Sequence, residues 1–432
     1  MAAPDTTALD PNALDPSEKV VIVSCDTHIG PRLREDLREY CPKKYLEDFD
    51  DFTSFVEEKG GTRGLDALNA TEGHYDPHAR IRDLDADGTA AECIFHGSQN
   101  GQPVPFIISD PSLGAMTMGR KYDVSYEHAA VGRHMFNEWL ADFCSVEPER
   151  HVGLAHLPMW DIDAAIKEAD WARAHGLRGI NFPVEAGPVT ELKRSRFAGL
   201  HYYNDPIWEP FWAAAEALDM PLVSHGGAGD PQMELAGAMP VWIQESREIA
   251  RRPIHRLIFA GVFERYPNLR LVLTELPGDW WRVKLADMDS LGMYGGGGDG
   301  MKPSDYAKRN IFLGASFQAR FEAEDALEHD YWQNIIWGTD YPHVEGTWRR
   351  PGEGETPQSQ LSMRYTYWDK PIDKVLHMIG LNGVRVYGLD GEALHKVAQR
   401  INAPTVAEVQ TPIDEIPEGH GMWAFRQFAA FG

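Results

Sequence analysis

The chain of 432 residues predicts an α/β protein, a (β/α)8 TIM barrel with long inserted loops after its first and second strands. Three observations carry that expectation. Eight short apolar runs alternate with longer stretches whose apolar residues recur at helical spacing. Residues able to do chemistry stand at the ends of most of those runs. The longest interruptions follow the first two, where loops commonly build or cover a pocket. An open parallel sheet of eight strands reads similarly at this level.

The runs, in order, are Val20–Ser24, Ala90–Phe95, Val152–Leu157, Gly179–Phe182, Pro221–Ser224, Leu269–Thr274, Ile311–Ala315 and Ile335–Trp337. Between them lie DIDAAIKEADWARAHG, PIWEPFWAAAEALDM and EIARRPIHRLIFAGVFERYP, each with helical apolar spacing. Residues 1–18 read as a flexible start and 19–396 as the barrel, with insertions at about 29–88, 98–125 and 287–310. Four consecutive glycines in LGMYGGGGDGMKPSDY mark either a mobile pocket loop or a plain surface loop. Residues 397–432 form a C-terminal extension whose aromatic GMWAFRQFAAFG suits packing on the surface or on a second copy in a homo-oligomer.

Composition bounds the function classes. Hydrophobic content of 43% and charged content of 25% are those of an ordinary globular protein. A net charge of −25 disfavours nonspecific attraction to nucleic acid or an anionic membrane, though it permits a local basic pocket. Cys25, Cys41, Cys93 and Cys144 show no zinc-ribbon spacing and read as free thiols of a reducing compartment. The first residues lack the basic and apolar regions of a signal peptide, and no apolar stretch approaches the roughly 20 residues of a membrane span. A cytoplasmic location is the expectation.

Active residues of a parallel barrel come from the C-terminal strand ends. The first run is followed by Asp26 and His28, on one face because strand side chains alternate. The second ends at His96, the third at His156, the fourth at Asn181, the fifth at His225 and the sixth at Glu275. The eighth supplies Asp340 and, one turn on, His343. A lone histidine is more often a hydrogen-bonded structural residue than a ligand, which is the reading favoured for His156. Asp26, His28, His225 and Asp340 each sit in a local motif and would converge at one end of one barrel.

Those motifs resemble the amidohydrolase-related family of metal-dependent TIM barrels, a group of hydrolases, hydratases and aromatic-acid decarboxylases. The likeness runs from about residue 20 to 390 through DTHIGP, IRDLDADGTAAECIF, GLRGINFP, PLVSHGG, FERYPNLRLVLTELPGDWW, WGTDYPH and LNGVRVYGLD. It implies a metal site in which Asp26 and His28 occupy the first-strand ligand pair, joined by His225 and Asp340. Two departures stand out. An aspartate holds the first ligand position, and Glu275 stands where hydrolytic and decarboxylating members generally place a sixth-strand histidine.

Asp26, Glu275 and Asp340 together would carry three negative charges, more than one divalent ion with two neutral imidazoles requires. A second cation, with His96 and His343 as further donors, balances that count. Mixed nitrogen and oxygen ligands suit iron as well as zinc or manganese. The family also contains a branch of non-haem diiron monooxygenases acting largely on coenzyme A-linked substrates. The preferred expectation is therefore a two-iron enzyme using O2 and an external reductant to hydroxylate a bulky carboxylic-acid substrate, with Glu275 and His343 as catalytic residues.

An acyl-CoA would need a basic patch. LKRSR at 192–196 and the spacing of Arg247, Arg251, Arg252 and Arg256 along one helix face are the candidates, against a plain solvated face. Tryptophans after strand ends, Trp160, Trp280, Trp281 and Trp348, would suit a bulky apolar substrate or simple loop packing. The alternatives are a mononuclear zinc or manganese hydrolase or decarboxylase of a small carboxylic acid, and a barrel that has lost its chemistry.

Overall fold

The computed structural model describes residues 14–58, 71–97, 102–106, 125–184, 201–226, 235–276, 280–292 and 300–427. LKRSR, the four glycines, most of the second insertion and the last five residues lie outside that set.

Eight strands form one sheet in sequence order, every pair parallel: β1 (Val23–Ile29), β2 (Ala91–His96), β3 (His151–His156), β4 (Gly179–Asn181), β5 (Leu222–His225), β6 (Leu271–Thr274), β7 (Ile311–Ser316) and β8 (Ile335–Gly338). The two edges meet. The His28 N–H donates to the Tyr341 carbonyl at 2.6 Å and the Asp340 N–H to the Asp26 carbonyl at 2.9 Å, so β8 returns to β1. The sheet is a (β/α)8 barrel rather than an open one.

Around it run α1 (Leu46–Glu58) and α2 (Pro77–Asp87) after β1, α3 (Tyr126–Cys144) after β2, α4 (Ile162–Ala174) after β3 and α5 (Glu209–Ala217) after β4. Then come α6 (Ala238–Ala250), α7 (Arg252–Phe259) and α8 (Val262–Arg265) after β5, α9 (Trp281–Leu291) and α10 (Pro303–Asn310) after β6, and α11 (Arg320–Glu328) after β7. Local chemistry sets their limits. Asp161 caps α4 by accepting from the Ala164 N–H at 3.0 Å, and Ala165, Ala169 and Ala172 bury one face. Asp76 caps α2 in the same way, and Gly88 ends it at φ 84°, a left-handed conformation that suits glycine.

Two expected elements differ. The first strand begins at Val23, not Val20, and continues through Asp26 and His28, because the partner strand pairs with it up to Ile29. The stretch from Glu248 to Pro267 is not one helix. It breaks at Arg251, where Pro253 has no N–H to continue the ladder and its ring clashes with the turn before it, so Arg247 and Arg256 lie on different helices.

Val23, Cys25, Cys93, Val152, Leu154, Val223, Val272, Phe312 and Ile336 fill the barrel interior. Helices at Asn382–Tyr387 and Gly391–Arg400 close the end where the strands begin: a side chain on Gly383 would meet Val23 Cγ1 at 2.8 Å. The opposite end is left for chemistry. All four cysteines are buried and free. Among the described residues no helix is long and apolar enough to cross a membrane.

Candidate metal centre

The register of β1 shifts between Ser24 and Thr27, an irregularity that inserts one residue against β2. Before it Val23 and Cys25 face the interior; after it Asp26 and His28 do. Cys25 and Asp26, neighbours in sequence, thus both point inward. Gly338 of β8 makes the room, since a Cβ there would lie 3.0 Å from Asp26 Cβ and 3.1 Å from Cys25 Sγ. Two other site carboxylates also leave their strands abruptly: Glu275 after β6 and Asp340 after β8 adopt left-handed backbone at φ 56° and 57°. Non-glycine residues seldom take that conformation, and it re-aims each side chain over the barrel mouth.

His28 Nε2 lies 3.1 Å from Asp26 Oδ1 and 3.2 Å from Asp340 Oδ1, and His225 Nε2 lies 3.3 Å from Asp26 Oδ1. Asp26 and Asp340 are wholly buried and His28 nearly so. Asp26 Oδ1, His28 Nε2, His225 Nε2 and both Asp340 carboxylate oxygens are nevertheless without a hydrogen-bond partner. Polar atoms buried this deeply are normally paired. Two imidazole nitrogens and two carboxylates converging without hydrogen-bond geometry fit a divalent cation of mixed nitrogen and oxygen coordination. Asp26, His28 and His225 form one donor group and His28, Asp340 and His343 another.

Electrostatics follow from this crowding. Burial disfavours ionising Asp26, but the His225 and His28 imidazoles outweigh it and hold the carboxyl well below the usual range. Burial likewise opposes protonating His225, and Asp26 and Glu275 overcome it, pushing its pKa up to about 10. For Glu275 burial acts first, and the Asp340 and Asp26 charges add to it against His225, leaving its pKa raised to about 8. Burial also works against charging His343, while Asp340 pushes its pKa up to about 9.

Glu275 is not among the convergent atoms. Its Oε2 stands 3.4 Å from His225 Nδ1, the ring nitrogen opposite the one facing Asp26; that Nδ1 also lies 2.9 Å from the Gly226 carbonyl. Glu275 is 19% exposed, so its carboxyl reaches the space above the site. His343 Nδ1 lies 3.0 Å from Asp340 Oδ1, its Nε2 lies 3.1 Å from the Gly97 carbonyl, and its ring stacks on His28 at 4.0 Å.

His96 is not brought into the cluster. On β2 the interior positions are Ala91, Cys93 and Phe95, so Phe95 meets the His28 and His225 rings while His96 points the other way, its Nε2 2.9 Å from the Gln102 carbonyl. His156 is buried neutral in the interior: burial, then His96 and Arg133, hold its pKa well below normal, and Asn181 Nδ2 lies 3.1 Å from its ring. Arg251 is drawn to Glu248 and the Trp280 ring, and Arg256 to the Tyr202 ring, so the arginines do not form one face.

Sequence reasoning missed three contributors. Ser316, the last interior residue of β7, donates from Oγ to Asp26 Oδ2. The parity of IFLGAS could have exposed it. Arg80 of α2 donates to the His28 carbonyl at 2.7 Å, pairs with Glu92 at 2.6 Å and lies over the Tyr341 ring, tying both site strands to β2. His74, in the insertion after β1, is buried, and its carbonyl accepts from the Gly30 N–H at 3.0 Å. Nothing local in the sequence marks Arg80 or His74.

Residues 103–389, well over half of the chain, match the family described as Amidohydrolase. The chain belongs to the amidohydrolase family. The chain is 28% identical to gamma-resorcylate decarboxylase of Rhodococcus jostii (strain RHA1) over 223 residues, which are 48% of this chain and 64% of that one. The chain spans about half to two-thirds of the length of the curated relatives first matched, 46% to 64%. Among solved structures, 5-carboxyvanillate decarboxylase from Sphingomonas paucimobilis superimposes with TM-score 0.57 at 18% identity, covering 86% of this chain and 100% of its own. A dihydroxybenzoic acid decarboxylase from Polaromonas sp. JS666, with bound manganese and the inhibitor 2-nitroresorcinol, gives TM-score 0.52 at 18% identity, covering 87% and 99%. At 18% identity these two likenesses show the shared fold.

The expectation of a diiron monooxygenase is overturned. The curated relatives that the chain resembles include gamma-resorcylate decarboxylases, and nothing in them supports iron, O2, a reductant or an acyl-CoA substrate. The charge count behind that expectation placed all three carboxylates at one point, whereas Glu275 stands behind His225.

Proposed function

We propose that this member of the amidohydrolase family is a mononuclear, divalent-metal-dependent decarboxylase of a small aromatic carboxylic acid, with manganese or zinc as the ion. The observation that carries the reading is the position of His28 Nε2 between Asp26 Oδ1 and Asp340 Oδ1. An imidazole nitrogen has one lone pair, and His28 Nε2 faces both aspartates, which supports one shared ion rather than two. Asp26, His28, His225 and Asp340 would hold the ion. With Glu275 outside the ligand atoms, two carboxylates balance one divalent charge. The sequence relatives named as gamma-resorcylate decarboxylases support the reaction class, and the manganese of the Polaromonas enzyme is compatible with this donor set.

When bound, the ion supplies Lewis acidity that fixes and polarises the substrate's oxygen atoms. The chain's residues supply the rest. Gly226 and Glu275 at His225 Nδ1 keep Nε2 turned to the ligand cluster, as outer partners of metal-bound histidines commonly do. His343, held between Asp340 and the Gly97 carbonyl, orients Asp340. Phe95 packs against the His28 and His225 rings and keeps water from that side. Glu275 carries the proton. As the bond between the ring carbon and the carboxyl carbon breaks, its electron pair stays on the ring carbon and takes the proton from Glu275, while CO2 departs. Water then reprotonates Glu275.

The test is CO2 release from hydroxylated benzoates by protein of measured metal content. Metal-dependent release with one ion per chain is the expected result. Two ions per chain, or metal-loaded protein that cleaves amides or esters and releases no CO2 from any of these acids, would overturn the reading.

A further inference from the structure

Residues 421–427, in the aromatic stretch of the C-terminal extension, lie along the end of the barrel that carries the metal site. The Trp423 N–H donates to the Glu345 carbonyl at 3.0 Å, and the Trp423 and Phe317 rings meet with centroids 5.1 Å apart. Farther along the segment, the Arg320 N–H donates to the Arg426 carbonyl at 3.1 Å and the Phe321 N–H to the Gln427 carbonyl at 3.0 Å. The buried Arg426 guanidinium donates to the Phe317 carbonyl and lies 3.3 Å from the Glu322 carboxylate. The segment thus touches the turns that leave β7 and β8. One follows Ser316 directly, and the other carries Asp340 and His343.

The contact with the second turn is backbone on backbone. A Cβ on Gly421 would lie 2.0 Å from the Gly346 carbonyl oxygen, and a Cβ on Gly346 would lie 2.9 Å from Asp340 Cβ and 2.6 Å from the Thr339 carbonyl oxygen. Only glycine allows so close an approach, and no side chain stands between the segment, the turn and Asp340 to absorb a shift. Gln358, at the start of the helix Gln358–Tyr367, bridges the same parts. Its Oε1 accepts from the Gly421 N–H at 3.2 Å and its Nε2 donates to the Thr347 carbonyl at 2.9 Å, partners that fix which way the amide points. The Thr347 N–H in turn donates to the Thr339 carbonyl at 3.0 Å. Both Asp340 carboxylate oxygens are without a hydrogen-bond partner, so the turn that carries Asp340 sets their aim. We propose that residues 421–427 are a positioning segment of the metal centre, holding Asp340 in place through the packing of Gly421 on Gly346 and the bridge of Gln358. The proposal rests on the reading of Asp340 as a metal ligand and not on decarboxylation.

The test is calorimetric titration of the full chain, stripped of metal, with manganese alone. Gly421→Ala and Gln358→Met should each raise the dissociation constant by about tenfold or more, the order by which outer partners tune metal sites. Circular dichroism and urea midpoints check the fold: a segment that served stability alone would lower the midpoint and leave the affinity of the folded protein unchanged. Coupling between two sites is reciprocal, so manganese should slow hydrogen exchange in the peptides covering 421–427 of the wild-type chain. Gln358→Met decides if Gly421→Ala does not fold, and the exchange measurement decides if neither does. Wild-type affinity in a folded variant, or exchange in 421–427 that is the same with and without manganese, would overturn the proposal. Asp340→Ala separates the two readings. Manganese bound by that variant at wild-type affinity removes the ligand and the proposal together, whereas its loss there with wild-type affinity in Gln358→Met removes the proposal alone.

Discussion

Glu275 Oε2 stands 3.4 Å from Nδ1 of His225, on the side of that ring away from Asp26. Under the proposed function this carboxyl steadies His225 and holds a proton near the substrate without itself being a ligand. Glu275→Gln keeps the shape and removes the titrating group. It should retain metal at wild-type stoichiometry and lose about 10²- to 10⁴-fold in kcat, the usual contribution of general acid catalysis. Metal analysis beside a CO2 assay distinguishes this from ligation: loss of metal in Glu275→Gln would make the residue a ligand after all.

Alanine at Asp26, His28, His225 or Asp340 should abolish metal binding and leave the barrel folded, because the interior packing is built below them from residues such as Val23, Val152 and Ile336. Metal content by atomic emission and far-ultraviolet dichroism are the two readouts. Full occupancy in any one variant removes that residue from the set.

Among the described residues Ser316 meets the candidate metal site through Asp26, to which its hydroxyl donates. Outer partners of this kind usually tune affinity by about 10- to 100-fold. Ser316→Ala should weaken metal binding by that order, with kcat at saturating metal changed far less. An unchanged metal affinity would show that Asp26 is oriented without it.

Glu92 lies at the foot of the network that reaches His28. Burial raises its pKa, but Arg80 and His151 outweigh burial and bring it down to about 2 from an ordinary 4.5. The folded value lies below the unfolded one, so the ionised pair stabilises the fold fully above about pH 5 and loses that contribution as pH falls from there toward 2. Urea midpoints should fall with pH over this window. Glu92→Gln, which strands a buried arginine, should cost about 3–5 kcal/mol at neutral pH and show a flatter dependence below pH 5. Identical acid profiles for the two proteins would dismiss the network as a source of acid sensitivity.

Much of the barrel was legible because its signals are local. Apolar runs such as LVLT and FLGA announce buried strands wherever they pack, and PLVSHGG and WGTDYPH place His225 at the end of its strand and Asp340 two residues beyond its own. Other features depend on what lies across the sheet. His96 looked like an inward residue because it ends an apolar run, yet strand parity assigns the interior to Phe95. Glu275 was legible as a site residue but not as one standing behind His225, since its backbone turns left-handed just after β6.

The sequence by itself determined the eight-strand repeat, the metal-capable character of one barrel end and the candidate residues Asp26, His28, His225, Glu275 and Asp340. Only the tertiary structure decided which of them converge. The inserted residue in β1 aims Asp26 and His28 inward together, Gly338 clears the space, and a single nitrogen of His28 faces both aspartates. A period of two read along one strand cannot show a register shift, because the shift exists only relative to the neighbouring strand.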